Sequence, residues 1–187
     1  MARWEPDARG RLQQAAMDLF RERGYPDVTV AEIADRAGLT KRTFFNHFAD
    51  KREVFFANAA MFEASALAGL AAADPGLGAM DAAVLALTRC GLELATISTA
   101  EDAATRFHLL ATTPELRERD LIKTAGLTAA MAGALVGRGA SPRAAAFAAQ
   151  AALAVFTVAI ADWIAAPARE FPELMQQTLA ELRSAVA

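Results

Sequence analysis

Lys41, Arg42, Thr43, Asn46 and His47 fall within one run of seven residues, KRTFFNH. What these side chains have in common is the capacity to hydrogen-bond to nucleic acid. Arg or Lys can read guanine and Asn can bridge adenine in the major groove. Thr, Lys and His suit phosphate oxygens, which take half or more of protein–DNA hydrogen bonds. Lys41, Arg42 and Asn46 are therefore the base-reading candidates, and Thr29, Thr40, Thr43, His47 and Lys51 the phosphate candidates. Other chemistry is poorly supported. Cys90 and His108, the one pair that could act as nucleophile and base, fall on different predicted helices with no glycine elbow, oxyanion loop or orienting carboxylate. The sequence therefore names no catalytic residue and predicts a non-enzyme. One cysteine and two histidines offer no metal-ligand spacing, so neither metal nor cofactor is expected.

The elements around this run read as helices. Leu12, Ala15, Ala16, Leu19 and Phe20 form one apolar stripe on a first helix, Pro6 to Arg23, which Gly24 ends. Thr29 followed by Glu32 is a capping-box pattern opening a second helix. Gly38 permits a left-handed turn, Leu39 tucks inward and Thr40 caps a third helix, to which Phe44, Phe45 and Phe48 supply apolar anchors. This is a helix, a glycine turn and a helix. Arg3, Arg9 and Arg11 precede or open the first helix and read as a solvated terminus, with an arm reaching DNA as the sharper alternative.

Further on, Asp50 with Glu53 opens a connector helix predicted to run to Ala72. Asp74, Pro75, Gly76 and Gly78 form a loop. Helices follow at Met80 to Ile97, Thr99 to Leu110, Pro114 to Val136, Pro142 to Ala165 and Pro172 to Val186. Ser98 with Glu101, Thr113 with Pro114 and Ser141 with Pro142 supply start signals, and Gly137 with Gly139 a stop. The fold class is all-α, with about nine helices.

Composition supports this and constrains partners. The chain has 187 residues, 55% of them apolar, enough to bury a core. A net charge of -3 hides a mild polarity, because residues 1–56 hold ten Lys/Arg against nine Asp/Glu and the remainder nine against thirteen. That polarity orients a slightly basic head toward a polyanion. The charged N-terminus does not read as a signal peptide, and a single cysteine fits a reducing cytoplasm. The uncharged stretch Ala144–Ala161 meets the length of a membrane span. It is mostly alanine, however, and close packing against other helices explains it better, so no membrane partner is expected.

From Leu12 through Phe56 the chain resembles the N-terminal domain of TetR-family transcriptional regulators. The likeness lies in AAMDLFRERGY, TVAEIADRAG and TKRTFFNHFADK, and specifically in Phe20, Gly24, Tyr25, Thr29, Ile33, Ala34, Gly38, Thr43, Phe48 and Lys51. It implies a helix-turn-helix DNA-binding domain at 1–50 and a helical ligand-binding and dimerisation domain at 51–187. Many members carry a tyrosine at Phe45 whose hydroxyl meets a phosphate. Phe45 cannot donate that bond, and Arg42, which replaces a frequent small residue, is the candidate to compensate.

The resemblance further implies a homodimer whose last two long helices pair across the interface, placing two recognition helices on a palindromic double-stranded operator. Here the dimerisation candidates are Phe147, Leu153, Phe156, Ile160, Leu174, Leu179 and Leu182. A small effector would sit among Met61, Phe62, Leu85, Cys90, Leu94, Phe107, His108, Leu121, Met131 and Trp163. Few charges fall on the fourth, fifth and eighth predicted helices, which favours an apolar or amphipathic molecule. The stretch from Thr105 is similar to the body of the mycofactocin-regulator group, through Arg106, Pro114, Glu115, Leu116 and Arg117. Some relatives answer to acyl-coenzyme A, so a fatty acyl thioester is the first expected effector. Arg106, Arg117 and Arg119 are then candidates for its phosphates, or plain solvated charges. The expected function is a cytoplasmic repressor released from its operator by ligand, with a ligand-independent or activating regulator as the alternative.

Overall fold

The computed structural model describes residues 7–186. Among the described residues it contains ten helices and no strand. These are α1 (Ala8–Arg23), α2 (Val30–Arg36), α3 (Lys41–His47), α4 (Lys51–Phe55), α5 (Ala59–Ala72), α6 (Ala79–Ile97), α7 (Ala100–Thr112), α8 (Pro114–Gly137), α9 (Pro142–Ala165) and α10 (Phe171–Ala185). The count exceeds expectation because the connector predicted from Asp50 to Ala72 is two helices. Val54, Phe55, Phe56 and Ala57 are all buried, and a continuous helix would rotate some of these four out to solvent. The chain turns instead, with the Ala57 and Ala59 N–H groups bonding back three residues to the Val54 and Phe56 carbonyls at 3.3 and 3.0 Å.

The chain forms two compact units. One comprises residues up to Ala59 together with Phe107–Asp120; the other comprises Ala60–Arg106 and Leu121–Ala187. The first unit thus runs past position 50 and takes in the end of α7 and the start of α8. Its core gathers Leu12, Leu19 and Phe20 of α1, Ile33 of α2, Phe44 and Phe48 at α3, Val54 and Phe55 of α4, and also Leu109 and Leu116. Local chemistry sets the helix ends. Asp7 caps α1, its carboxylate accepting from the Gly10 N–H at 2.8 Å. Asp50 caps α4 by accepting from the Arg52 and Glu53 N–H groups.

In the second unit, the faces of α6, α9 and α10 that meet are small or apolar. Ala82, Ala83, Ala86, Leu87 and Cys90 pack with Ala145, Ala148, Ala149, Ala152, Val155 and Ala159, and with Phe171, Leu174, Met175 and Leu179. Alanine on both helices lets α6 and α9 approach closely, and Gly91 does the same for Phe171, whose ring lies 2.0 Å from where a Cβ at Gly91 would stand. The Phe156 ring packs edge-on between Phe62 and Phe171, at 5.4 and 5.7 Å. The Arg138 guanidinium closes the C-terminal end of α5 by donating to the Leu70, Ala73 and Asp74 carbonyls.

Two expectations change here. The start of α7 is capped by Thr99 and Asp102, not Ser98 and Glu101; the Thr99 N–H donates to Asp102 at 3.0 Å, and the Asp102 N–H to the Thr99 hydroxyl at 3.1 Å. Of the proposed interface residues, Ile160, Leu174 and Leu179 are buried inside the unit's own core and present nothing to a second copy. Leu153, Phe156 and Leu182 are partly buried against that core, and Phe147 faces outward. α9 is long and apolar enough to cross a membrane, but 39% of its most apolar window is buried within the subunit.

The glycines give a paired test of this packing. Gly91→Ala should lose about 2 kcal/mol through overpacking against Phe171. Gly133→Ala, where an added Cβ meets nothing within 4 Å, should gain about 0.8 kcal/mol from helix propensity. Urea unfolding of both variants measures the two opposite signs.

Candidate nucleic-acid interface

α2, the glycine turn and α3 form the helix-turn-helix. The Thr29 hydroxyl accepts from the Glu32 N–H at 3.3 Å, while the Glu32 carboxylate accepts from the Thr29 N–H at 2.8 Å and from its hydroxyl at 2.7 Å. These bonds, with Arg23 2.9 Å away, hold the Glu32 carboxyl down at about 2. At the other end Gly38 takes a φ of 67°. Its N–H bonds the Asp35 carbonyl at 3.0 Å and the Leu39 N–H bonds the Ala34 carbonyl at 2.8 Å, the double closure of a Schellman turn. Thr40 then caps α3, accepting from the Thr43 N–H at 3.1 Å.

What α3 buries determines what it displays. Phe44 is completely buried and Phe48 nearly so, which leaves Lys41, Arg42, Asn46 and His47 exposed. Most basic side chains of this unit are committed elsewhere. Arg23 pairs with Glu32, Arg36 with Glu22 and Arg52 with Asp50. Among the described residues Lys41 and Arg42 have no carboxylate within ion-pair reach. The short helix therefore carries two uncompensated positive charges and an amide on its open side, an arrangement suited to a polyanion.

Several expectations are revised. Phe45 is not an inward anchor. It is 57% exposed and meets Phe44 only edge-on, with ring centroids 5.5 Å apart. Three aromatics within five positions cannot all face inward from one short helix, and Phe44 and Phe48 occupy the buried side.

Lys51 is a structural pin. Its ammonium donates to the Tyr25 carbonyl at 2.7 Å and the Val28 carbonyl at 2.8 Å, and lies 4.0 Å over the Tyr25 ring. Burial lowers its pKa, and burial raises that of the Tyr25 phenol. Thr29 has its hydroxyl proton engaged by Glu32. The Thr40 and Thr43 hydroxyls lie 2.9 Å apart and share a hydrogen bond. Arg9 and Arg11 are pins as well, not an arm. Arg9 donates to the Ala57 carbonyl at 2.7 Å and stacks over Phe48, and Arg11 donates to the Ala37 carbonyl. Arg3 lies outside the described residues.

The effector candidates are divided between the units. Cys90 and Met131 are buried in the second unit's core, and burial raises the Cys90 thiol pKa. Phe62, Leu94 and Trp163 are half-buried against that core, while Met61, Leu85 and Leu121 are exposed. Phe107 and His108 are exposed and belong to the first unit, so Cys90 and His108 sit in different units. Arg119 ion-pairs with Glu53 at 2.7 Å and Arg117 donates to the Leu110 and Ala111 carbonyls, so both hold the α7–α8 turn. That turn belongs to the first unit, and its sequence signal is the pair Leu109 and Leu116 across Thr113-Pro114.

The sequence family described as bacterial regulatory proteins, tetR family, matches residues 12–57, and that described as the MftR C-terminal domain matches residues 74–187, more than half the chain. The chain belongs to the TetR family. Its members are transcriptional regulators, not enzymes. The TetR head is 43% identical over 51 residues to the HTH-type transcriptional activator FasR of Mycolicibacterium smegmatis, covering 27% of this chain and 23% of FasR. It is 44% identical over 46 residues to the HTH-type transcriptional repressor KstR2 of Mycobacterium tuberculosis, covering 25% of this chain and 23% of KstR2. These matches thus span less than a quarter of either relative's length. The TetR fold is shared end to end with the regulator FadR of Bacillus subtilis in complex with stearoyl-CoA, at a TM-score of 0.64 and 18% identity over 91% of this chain and 95% of that one.

The geometry gives Lys51 and Lys41 opposite roles. Lys51→Ala should cost about 1.5 kcal/mol of stability, because two carbonyls lose a charged donor, and leave the salt slope of DNA binding unchanged. Lys41→Ala should leave stability intact and weaken operator binding by about 1–3 kcal/mol, with relaxed preference at the base pair it reads. Chemical denaturation and salt-titrated anisotropy separate the two. The capping box sets an acid limb. A carboxyl lowered from 4.5 to about 2 stabilises the fold fully above pH 4.5 and progressively less as pH falls through its folded value. Thermal unfolding should therefore show wild type more stable than Glu32→Gln at neutral pH, with the gap closing between pH 4.5 and 2.

Proposed function

We propose that this chain acts as a homodimeric repressor that binds a palindromic DNA operator through α3 and is released by a small amphipathic effector. The observation that carries the DNA-binding part is the exposed face of α3, where Lys41, Arg42 and Asn46 have no partner among the described residues while Phe44 and Phe48 fix the opposite side. Lys41, Arg42 and Asn46 are assigned to bases, and Thr40, Thr43 and His47 to phosphates. A single unit of this size reads only one half-site, so two copies are needed to cover a palindrome.

The outward face of α9 supports that second copy. Phe147, Gln150, Ala154, Val158 and Ala161 are exposed at intervals of three and four residues, with Phe147 69% and Val158 48% exposed. Pairing this face with its two-fold mate removes the apolar side chains from water. The effector reading rests on the apolar body and on the stearoyl-CoA bound by the structurally similar FadR, with a fatty acyl-coenzyme A the first ligand to try. The half-buried Phe62, Leu94 and Trp163 are the residues best placed to contact its chain. Release requires that the effector bind one body conformation more tightly than the other, and the response can be no larger than that difference. FasR is described as an activator and KstR2 as a repressor, so the direction of regulation needs its own measurement.

Operator selection from a randomised duplex pool, followed by salt-titrated binding, tests the central reading. The expected result is an inverted-repeat site whose affinity falls steeply with salt, bound by a species of twice the subunit mass in sedimentation. Stearoyl-CoA is expected to weaken this binding, and the operator in front of a reporter should lower its expression. A monomer at micromolar concentration, or enrichment of no sequence, would overturn the proposal.

A further inference from the structure

The exposed face of α3 carries one side chain that neither phosphate binding nor hydrogen-bonded base reading uses. At about 100° per helical residue, Phe45 projects about 40° from Lys41 and about 60° from Arg42, between the two cations. Phe45 is 57% exposed, and its ring meets that of the wholly buried Phe44 at a centroid distance of 5.5 Å and an interplanar angle of 82°. A residue in this position enters whatever groove Lys41, Arg42 and Asn46 enter.

We infer that Phe45 is a specificity-determining residue that reads the 5-methyl group of thymine in the major groove. The inference rests on the proposed DNA-binding role of α3 and adds to it a chemical class of base contact. The argument is one of elimination by chemistry. A phenyl ring has no donor for a phosphate and none for a base edge. Of the groups displayed in the major groove, guanine N7 and O6, adenine N7 and N6, cytosine N4 and thymine O4 all need a hydrogen-bond partner; the thymine methyl is the apolar one. Pressing the ring against the others would strip them of water with no replacement bond, which is unfavourable. Against a thymine methyl both partners lose apolar surface to water, which is favourable. Phe45 therefore selects twice, attracting thymine and disfavouring the alternatives at the same position. The contact with Phe44 makes the selection sharp, because a ring braced on the buried core has less freedom to slide to a neighbouring base pair.

The experiment uses the full-length protein and the duplexes it enriches from a randomised pool. Each thymine is replaced in turn by deoxyuridine, which removes only the 5-methyl group, and each duplex is titrated with wild type and with Phe45→Ala. Thermal unfolding checks that the variant keeps its fold, as expected for an exposed side chain. Wild type should bind about fourfold more weakly when the critical methyl is removed from a half-site, the loss of one buried methylene-sized group. Phe45→Ala should bind the unmodified duplex roughly tenfold more weakly and show no further loss with deoxyuridine at that position. Indifference of wild type to every deoxyuridine substitution overturns the inference while leaving the DNA-binding reading intact. An equal methyl penalty in wild type and Phe45→Ala overturns it in the same way, since another residue then does the reading. Failure to bind any duplex, even at low salt, overturns both.

Discussion

The rotation of α3 about its own axis is the constraint on which the rest of the head depends. A seven-residue helix is too short to be held by its own hydrogen bonds, so its azimuth comes from what it buries. Phe44, at zero exposure, sets that azimuth, and Phe48 at the C-terminal cap secures it. Were the helix turned by one position, Phe45 would enter the core and the cations would move off the open face. The Schellman turn at Gly38 and the Thr40 cap then fix where the helix starts, and α1 supplies the wall it leans on.

The pins around this arrangement follow one rule. Lys51, Arg9, Arg11 and Arg117 all direct their cationic heads at backbone carbonyls. A carbonyl beyond a helix end or in a turn lacks an intrahelical donor, and a long cationic side chain can reach it while its stem covers apolar surface. The head thus uses part of its positive charge internally and leaves a small remainder at Lys41 and Arg42. This explains how a chain of net charge -3 still offers a locally positive face.

Local features were legible in the sequence. Thr29 with Glu32, Thr40, Asp50, and Ser141 with Pro142 are read correctly because a cap and its partner lie within three residues of each other. The start of α7 shows the limit of that logic. Ser98 with Glu101 and Thr99 with Asp102 both fit the same spacing, and only the actual end of α6 decides between them. Phe45 is exposed although its residue type predicts an anchor, because hydrophobicity does not report rotation in a helix with three aromatics on or beside it. The pins were invisible for another reason: Lys51 and its carbonyls are separated by 23 and 26 residues, and a carbonyl has no residue type to signal it. In the alanine-rich body, the same residue fills buried and exposed positions of α9, so composition predicts helix and packing but not which face belongs to the subunit's own core.

Leu109 and Leu116 stand in the core of the first unit although half the chain separates them from α1. In consequence the DNA-reading head is not a portable cassette. A fragment ending near position 59 would expose the cavity those two leucines fill and leave Glu53 without Arg119. Recombination that exchanged whole heads between relatives would have to bring a matching α7–α8 turn from the middle of the donor's body. Head and body in this protein are therefore bound to evolve together, because α7 and α8 each place one end in the first unit.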